Sequence, residues 1–203
     1  MKKVKFKILF ITSLVCLLPM LLGIALWSKL PDSIATHFDI NFNPDAYSSK
    51  SFFVFGLPVM MAVLQIVCCI INDLKVSKQS DIKVQYLFKW IIPLMCVALY
   101  VSTIGYSMGY IVDMRIAILV IAGILFVAMG GCITKLDYVK NYNVDTQKAK
   151  KINRFTGFGM AALGILFLIS TILPPIASSI SLLLIIPYAL VSILYYVIII
   201  KKP

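Results

Sequence analysis

Uncharged apolar runs of about twenty residues recur along the chain, and charged residues gather in the short segments between them. A hydrocarbon core about 30 Å thick takes roughly 20 apolar residues as helix, because backbone groups left unpaired in lipid are too costly. By that measure the sequence predicts six spans, at about 8–27, 51–71, 90–112, 116–134, 155–173 and 179–200. The last two share one stretch without charge, too long for a single crossing, which Pro174-Pro175 interrupts. Proline removes a helix donor and disfavours helix in the residue before it, so the pair predicts a hairpin tip. The first run follows basic residues, as in a signal peptide. It exceeds the usual h-region of roughly 7–15 residues, and no A-x-A site follows, so it reads as an uncleaved span.

The expected fold is therefore an all-α membrane protein, a six-helix transmembrane bundle with a small ordered extracytoplasmic loop between helices 1 and 2. Residues 1–72 would form a two-span unit carrying that loop at 28–50. Residues 73–203 would form a four-span unit within the same membrane domain.

Composition removes the soluble alternative. Of 203 residues, 61% are apolar and 13% charged, against roughly 45–50% and about 25% in soluble domains. A net charge of +11 would raise nucleic acid as a partner of a soluble protein. Here the charges sit in short clusters with no basic face or recognition motif, which leaves the lipid bilayer as the first partner and excludes nucleic acid. The N-terminal tail, the segments 72–89 and 135–154, and the C-terminus hold four, four, six and two of the 19 lysines and arginines. Only Lys29, Lys50 and Arg115 lie in the intervening segments. The positive-inside rule then places both termini in the cytoplasm.

Chemistry is sparse. All eight acidic residues are aspartate, none falls mid-span, and there is one histidine. That set cannot supply an H-E-x-x-H metal site, and no base lies mid-membrane to activate a serine. No catalytic residue, metal or cofactor is expected, so the chain reads as a non-enzyme. The lack of buried ionisable groups also argues against proton relays and ion-coupled transport, and no internal repeat suggests inverted halves. Gln65 stands alone in the second span. Gly105-x-x-x-Gly109 and Gly157-x-x-x-Ala161 have the spacing of close helix contacts, here expected within the bundle. The five cysteines all lie in apolar runs and read as soft core residues.

The segment 28–50 differs. It holds His37, three of the eight aspartates (Asp32, Asp39 and Asp45), and Pro31 and Pro44. Its Ile34, Phe38, Ile40, Phe42 and Tyr47 are too many apolar residues for a solvated tether and predict an ordered cap. His37, Asp39 and Asp45 are possible zinc ligand types without a recognisable spacing. A histidine bonded to a carboxylate or backbone is the commoner arrangement, and an external ligand could dock on the same loop.

The string Leu30-Pro31-Asp32-x-Ile34-x-x-His37-Phe38, then Pro44-Asp45, then Ser49-Lys50 resembles the loop that opens the SdpI-type family of bacterial membrane proteins. Ala35 stands where that family tends to have proline, and Phe42, Ala46 and Ser48 stand at glycine positions. Towards the C-terminus Asn153-Arg154-Phe155 and Gly157 resemble the family's N/H-R-F-glycine ending. The T-P-W-T stretch before it is absent, with 141–144 in its place. The resemblance implies a multi-pass protein of the bacterial cytoplasmic (inner) membrane, giving immunity to a secreted peptide toxin and relaying to a regulatory protein inside. It implies ligand docking at Asp32, His37, Phe38, Asp39, Pro44, Asp45 and Lys50. An inner partner surface would lie at Lys148, Lys150, Lys151, Asn153 and Arg154, where positive-inside anchoring accounts for the same charges. The rival readings are a small permease or the membrane subunit of an exporter, and a structural assembly factor.

Overall fold

The computed structural model describes residues 4–75, 82–111, 113–135 and 145–201; the stretch 141–144 and part of each basic loop lie outside them. Among the described residues six helices are long and apolar enough to cross a membrane: Phe6–Ala25, Phe52–Leu74, Gln85–Ser107, Met114–Ile133, Gln147–Ser170 and Pro175–Lys201. By length and composition the chain is a multi-pass membrane protein. Two spans begin five or more residues earlier than the charges suggest. The third takes in Lys89, and the fifth takes in Lys148, Lys150, Lys151 and Arg154. Lys89 can enter because a carboxylate meets its charge inside the unit, and the cations of the fifth span lie in its first turns, where long basic side chains reach the lipid boundary.

Prolines set the breaks. The first span is α1 (Phe6–Leu17) and α2 (Pro19–Ala25), divided where Pro19 has no N–H to continue the helix. The strands β1 (Ser33–Phe38) and β2 (Pro44–Ser49) follow as an antiparallel hairpin, a β element in the loop between two helical spans. The second span opens with a π-helical turn, Phe52–Gly56, and continues as α3 (Leu57–Lys75). In that turn the Leu57 N–H bonds the Phe52 carbonyl, and the wider turn comes just before Pro58, where a regular helix would clash. The third span is α4 (Ile82–Ser107), with Pro93 inside it, and the fourth is α5 (Met114–Ile133). The fifth, α6 (Thr146–Ser170), leads through the Pro174-Pro175 turn into α7 (Pro175–Leu183) and α8 (Ile185–Lys201). Pro187 lies one turn past the break between those two.

The chain divides into two compact units, residues 1–75 with 86–118, and residues 76–85 with 119–203. In the first, Leu30, Ile34, Phe53, Val54, Tyr100 and Ile104 form a buried cluster that fastens the hairpin to the helices. Phe53 and Tyr100 stack at 4.6 Å, and the Tyr100 hydroxyl rests on Gly23, where any side chain would collide with it. Ala62, Cys16 and Cys96 make a second cluster further along the same helices.

In the second unit α5 and α6 pack backbone to backbone. A Cβ at Gly130 would lie 2.5 Å from the Gly157 carbonyl oxygen, and one at Gly164 would lie 2.7 Å from that of Gly123. Gly157 and Ala161 thus serve packing within the unit. Gly105 and Gly109 do something else: they end α4. Gly109 has φ +78, its N–H reaches the Tyr106 carbonyl, and the Tyr110 N–H reaches that of Gly105. This is a Schellman cap, which needs a residue free to turn left-handed.

Candidate functional site

The hairpin is built from the motif residues, paired two by two. Leu30 and Ile34 are the buried anchors. Lys50 donates its backbone N–H to the Asp32 carbonyl and its ammonium to the Asp32 carboxylate, both at 2.9 Å. The Lys50 ammonium also stands 5.4 Å above the Trp27 ring, tying the end of the first span to the base of the hairpin. Ser49 accepts the Phe52 N–H (3.3 Å) and caps the first turn of the second span.

His37 and Asp45 meet at 2.5 Å, Nδ1 to Oδ1, on the exposed face. The register shifts on either side of His37, so the strands pass out of step there: Ala35 faces Tyr47, His37 faces Ala46, and Phe38 faces Pro44. Such bulges twist a hairpin and re-aim its side chains. Asp39 is occupied differently. Its carboxylate accepts the N–H groups of Asn41 and Asn43, each at 2.8 Å, closing the tip. The three candidate metal-ligand types are therefore not brought together. Among the described residues no group of three or more His, Cys, Asp or Glu could hold a metal ion.

Phe42 is the one non-glycine with positive φ (62) among the described residues. A bulky side chain in the left-handed region is strained, and glycine would relieve that strain.

Under the hairpin lies a cavity of about 370 Å³. β1 covers it with Ala35, Thr36 and Phe38; Phe53 of the π-helical turn, Leu57 and Met61 of α3, Cys96, Leu99, Tyr100 and Thr103 of α4, and Met114 and Ile118 of α5 complete it. No charged residue lines it. Phe38, at its rim, meets Tyr106 edge to face at 5.3 Å. The exposed pair His37–Asp45 and this apolar chamber thus belong to one hairpin, polar outside and apolar beneath.

At the other end of the same unit is a buried polar ladder, of which only Gln65 stood out in the sequence. Lys89, expected in the loop before the third span, is inside α4. Its ammonium reaches both oxygens of Asp73 at 2.7 Å, and the two side chains are 1% and 2% exposed. The Lys5 N–H adds a third bond to Asp73 (2.9 Å). Gln65 is not alone. Its amide nitrogen donates to the Lys89 carbonyl (2.7 Å), to Thr12 Oγ1 (2.8 Å) and to Cys69 Sγ (3.1 Å). The Lys89 carbonyl needs that donor because its helical partner would be the N–H of residue 93, a proline. Two signals lay in the sequence: the Lys89-to-Pro93 spacing, and Gln65, Cys69 and Asp73 at four-residue steps on one face of α3.

The predicted inner surface begins α6. Lys150, Lys151 and Arg154 are exposed, Lys148 is half-buried, and Asn153 is buried at 3% beside buried Ile152. The exposed face is thus three or four cations without Asn153. Tyr195 and Ile199 of α8 pack on Ala149 and Ile152 beneath them.

Spans, hairpin and ladder define a multi-pass membrane protein with an ordered β-hairpin between its first two spans. Residues 14–62 match a family described as Domain of unknown function (DUF1648). The match covers about a quarter of the chain, from α1 through the hairpin into α3. No curated protein and no solved structure matches the chain.

Proposed function

We propose that this is an SdpI-like immunity or sensor protein of a bacterial cytoplasmic membrane, which binds a secreted peptide toxin at the hairpin. Both termini face the cytoplasm in this reading, and the hairpin lies outside. The observation that carries it is the hairpin itself: the motif residues pair to hold a rigid cap, exposed and polar at His37–Asp45, above an apolar cavity. Such a site binds a ligand through a few fixed polar groups and an apolar anchor. Binding, rather than catalysis, is its role. The cations Lys148, Lys150, Lys151 and Arg154 at the start of α6 are the surface offered to a regulatory protein inside.

A permease is the second reading, favoured by the Asp73–Lys89 pair. An ionisable residue inside a span is a functional candidate by default, so the argument from missing buried charge no longer stands against transport. Against it, both charges are fully matched and neither lines the cavity.

Deleting the gene and challenging cells with a broad panel of toxins from close kin tests the proposal. Sensitivity should rise to at least one toxin. Wild type should restore resistance, while His37→Ala with Asp45→Ala should restore it poorly. Unchanged sensitivity across the panel would sink the immunity reading.

A further inference from the structure

We propose that the groove where α1 begins beside α4 is a seat for one anionic phospholipid. The open groove has a volume of about 490 Å³ and is lined by Lys5, Phe6, Lys7, Ile8, Ile11 and Tyr86. It lies where the first membrane span starts, at Phe6, so its surroundings change there from headgroup to hydrocarbon.

The lining changes in the same direction. Lys5 and Lys7 stand at the mouth, whereas Ile8 and Ile11 continue down the helix; at 1.5 Å per residue Ile11 is about 6 Å deeper than Lys7. The Lys5 ammonium lies 5.0 Å over the Tyr86 ring, which holds it on the groove wall, and Lys7 is exposed. The first turn of α1 carries no acidic residue. Positive charge at the mouth and an apolar floor below complement a phosphate headgroup joined to an acyl chain. A zwitterionic lipid lacks the net charge, and a free phosphate lacks the chain that would cover Phe6, Ile8 and Ile11.

Occupancy has a structural consequence. Lys5 is bonded through its N–H to Asp73 of α3, and Tyr86 is three residues from Lys89 on α4. A lipid in the groove therefore lies against the joint of α1, α3 and α4 and tightens it. This site is independent of toxin recognition, and it stands or falls without it.

Native mass spectrometry of the full chain, purified from vesicles of phosphatidylcholine with phosphatidylglycerol, tests the seat. One phosphatidylglycerol should survive delipidation on wild type. Lys5→Gln with Lys7→Gln should lower that bound fraction at least fivefold, and the single Lys7→Gln, an exposed change that spares the fold, at least threefold. Lys150→Gln with Lys151→Gln should leave it unchanged. Excess glycerol 3-phosphate should not displace the lipid, whereas displacement would mean that the groove takes phosphate alone and would overturn the proposal. Equal retention of phosphatidylcholine, no retained lipid, or equal loss in both double variants would overturn it too.

Discussion

At the scale of single residues, the most informative contact is the bond from Gln65 to the Lys89 carbonyl. Pro93 creates a vacancy in the helix ladder and Gln65 fills it from the neighbouring helix. Gln65→Leu should cost about 1–3 kcal/mol, the cost of a buried acceptor left without a partner. Pro93→Ala should reduce that loss, because alanine returns an N–H to the Lys89 carbonyl. A double-mutant cycle followed by thermal unfolding in detergent measures the coupling; additive losses would contradict the account. The Asp73–Lys89 pair should be more sensitive still. Asp73→Asn strands a buried ammonium and should cost about 3–5 kcal/mol, whereas the paired change Asp73→Leu with Lys89→Met should cost less. These residues were partly legible. The four-residue steps of Gln65, Cys69 and Asp73 mark one helix face, and Pro93 announces an orphaned carbonyl. The partner was hidden because a lysine near a span end reads as loop, and nothing local says that a carboxylate waits across the bundle.

At the scale of elements, glycine and proline govern where helices bend, end or touch. Spacing alone could not separate the two glycine pairs: Gly157 with Ala161 packs against Gly130, while Gly105 with Gly109 closes α4. Gly157→Leu would place its Cβ 2.5 Å from the Thr134 methyl and 2.7 Å from the Gly130 carbonyl oxygen. It should destabilise by about 1–3 kcal/mol through overpacking. Gly131→Ala meets nothing within 4 Å and should be neutral or stabilising. Unfolding midpoints of the two variants should therefore move apart, and parallel shifts would refute the seam. In the hairpin, Phe42→Gly should stabilise by about 1 kcal/mol by relieving the left-handed backbone; an unfolding midpoint below that of wild type would contradict the strain. The strands themselves were not legible as strands. The sequence announced an ordered loop, but its alternation is broken at Thr36 and Asp45 by the bulges, which hides the period of two.

At the scale of the whole molecule, the six spans were legible because lipid admits so few solutions. Their count needed only run length, Pro174-Pro175 and the spacing of charges. Their register against the basic loops was less visible, since α6 begins at Thr146 and carries its cations within the helix. The proposed topology, with both termini in the cytoplasm, puts the hairpin outside and the start of α6 inside. Single cysteines decide it most directly. In a chain with its five native cysteines replaced, Asp45→Cys and Lys150→Cys are each treated on intact cells with a membrane-impermeant maleimide. Asp45→Cys should label on intact cells, and Lys150→Cys only after permeabilisation. Labelling in the reverse order, or labelling of both from outside, would contradict the account.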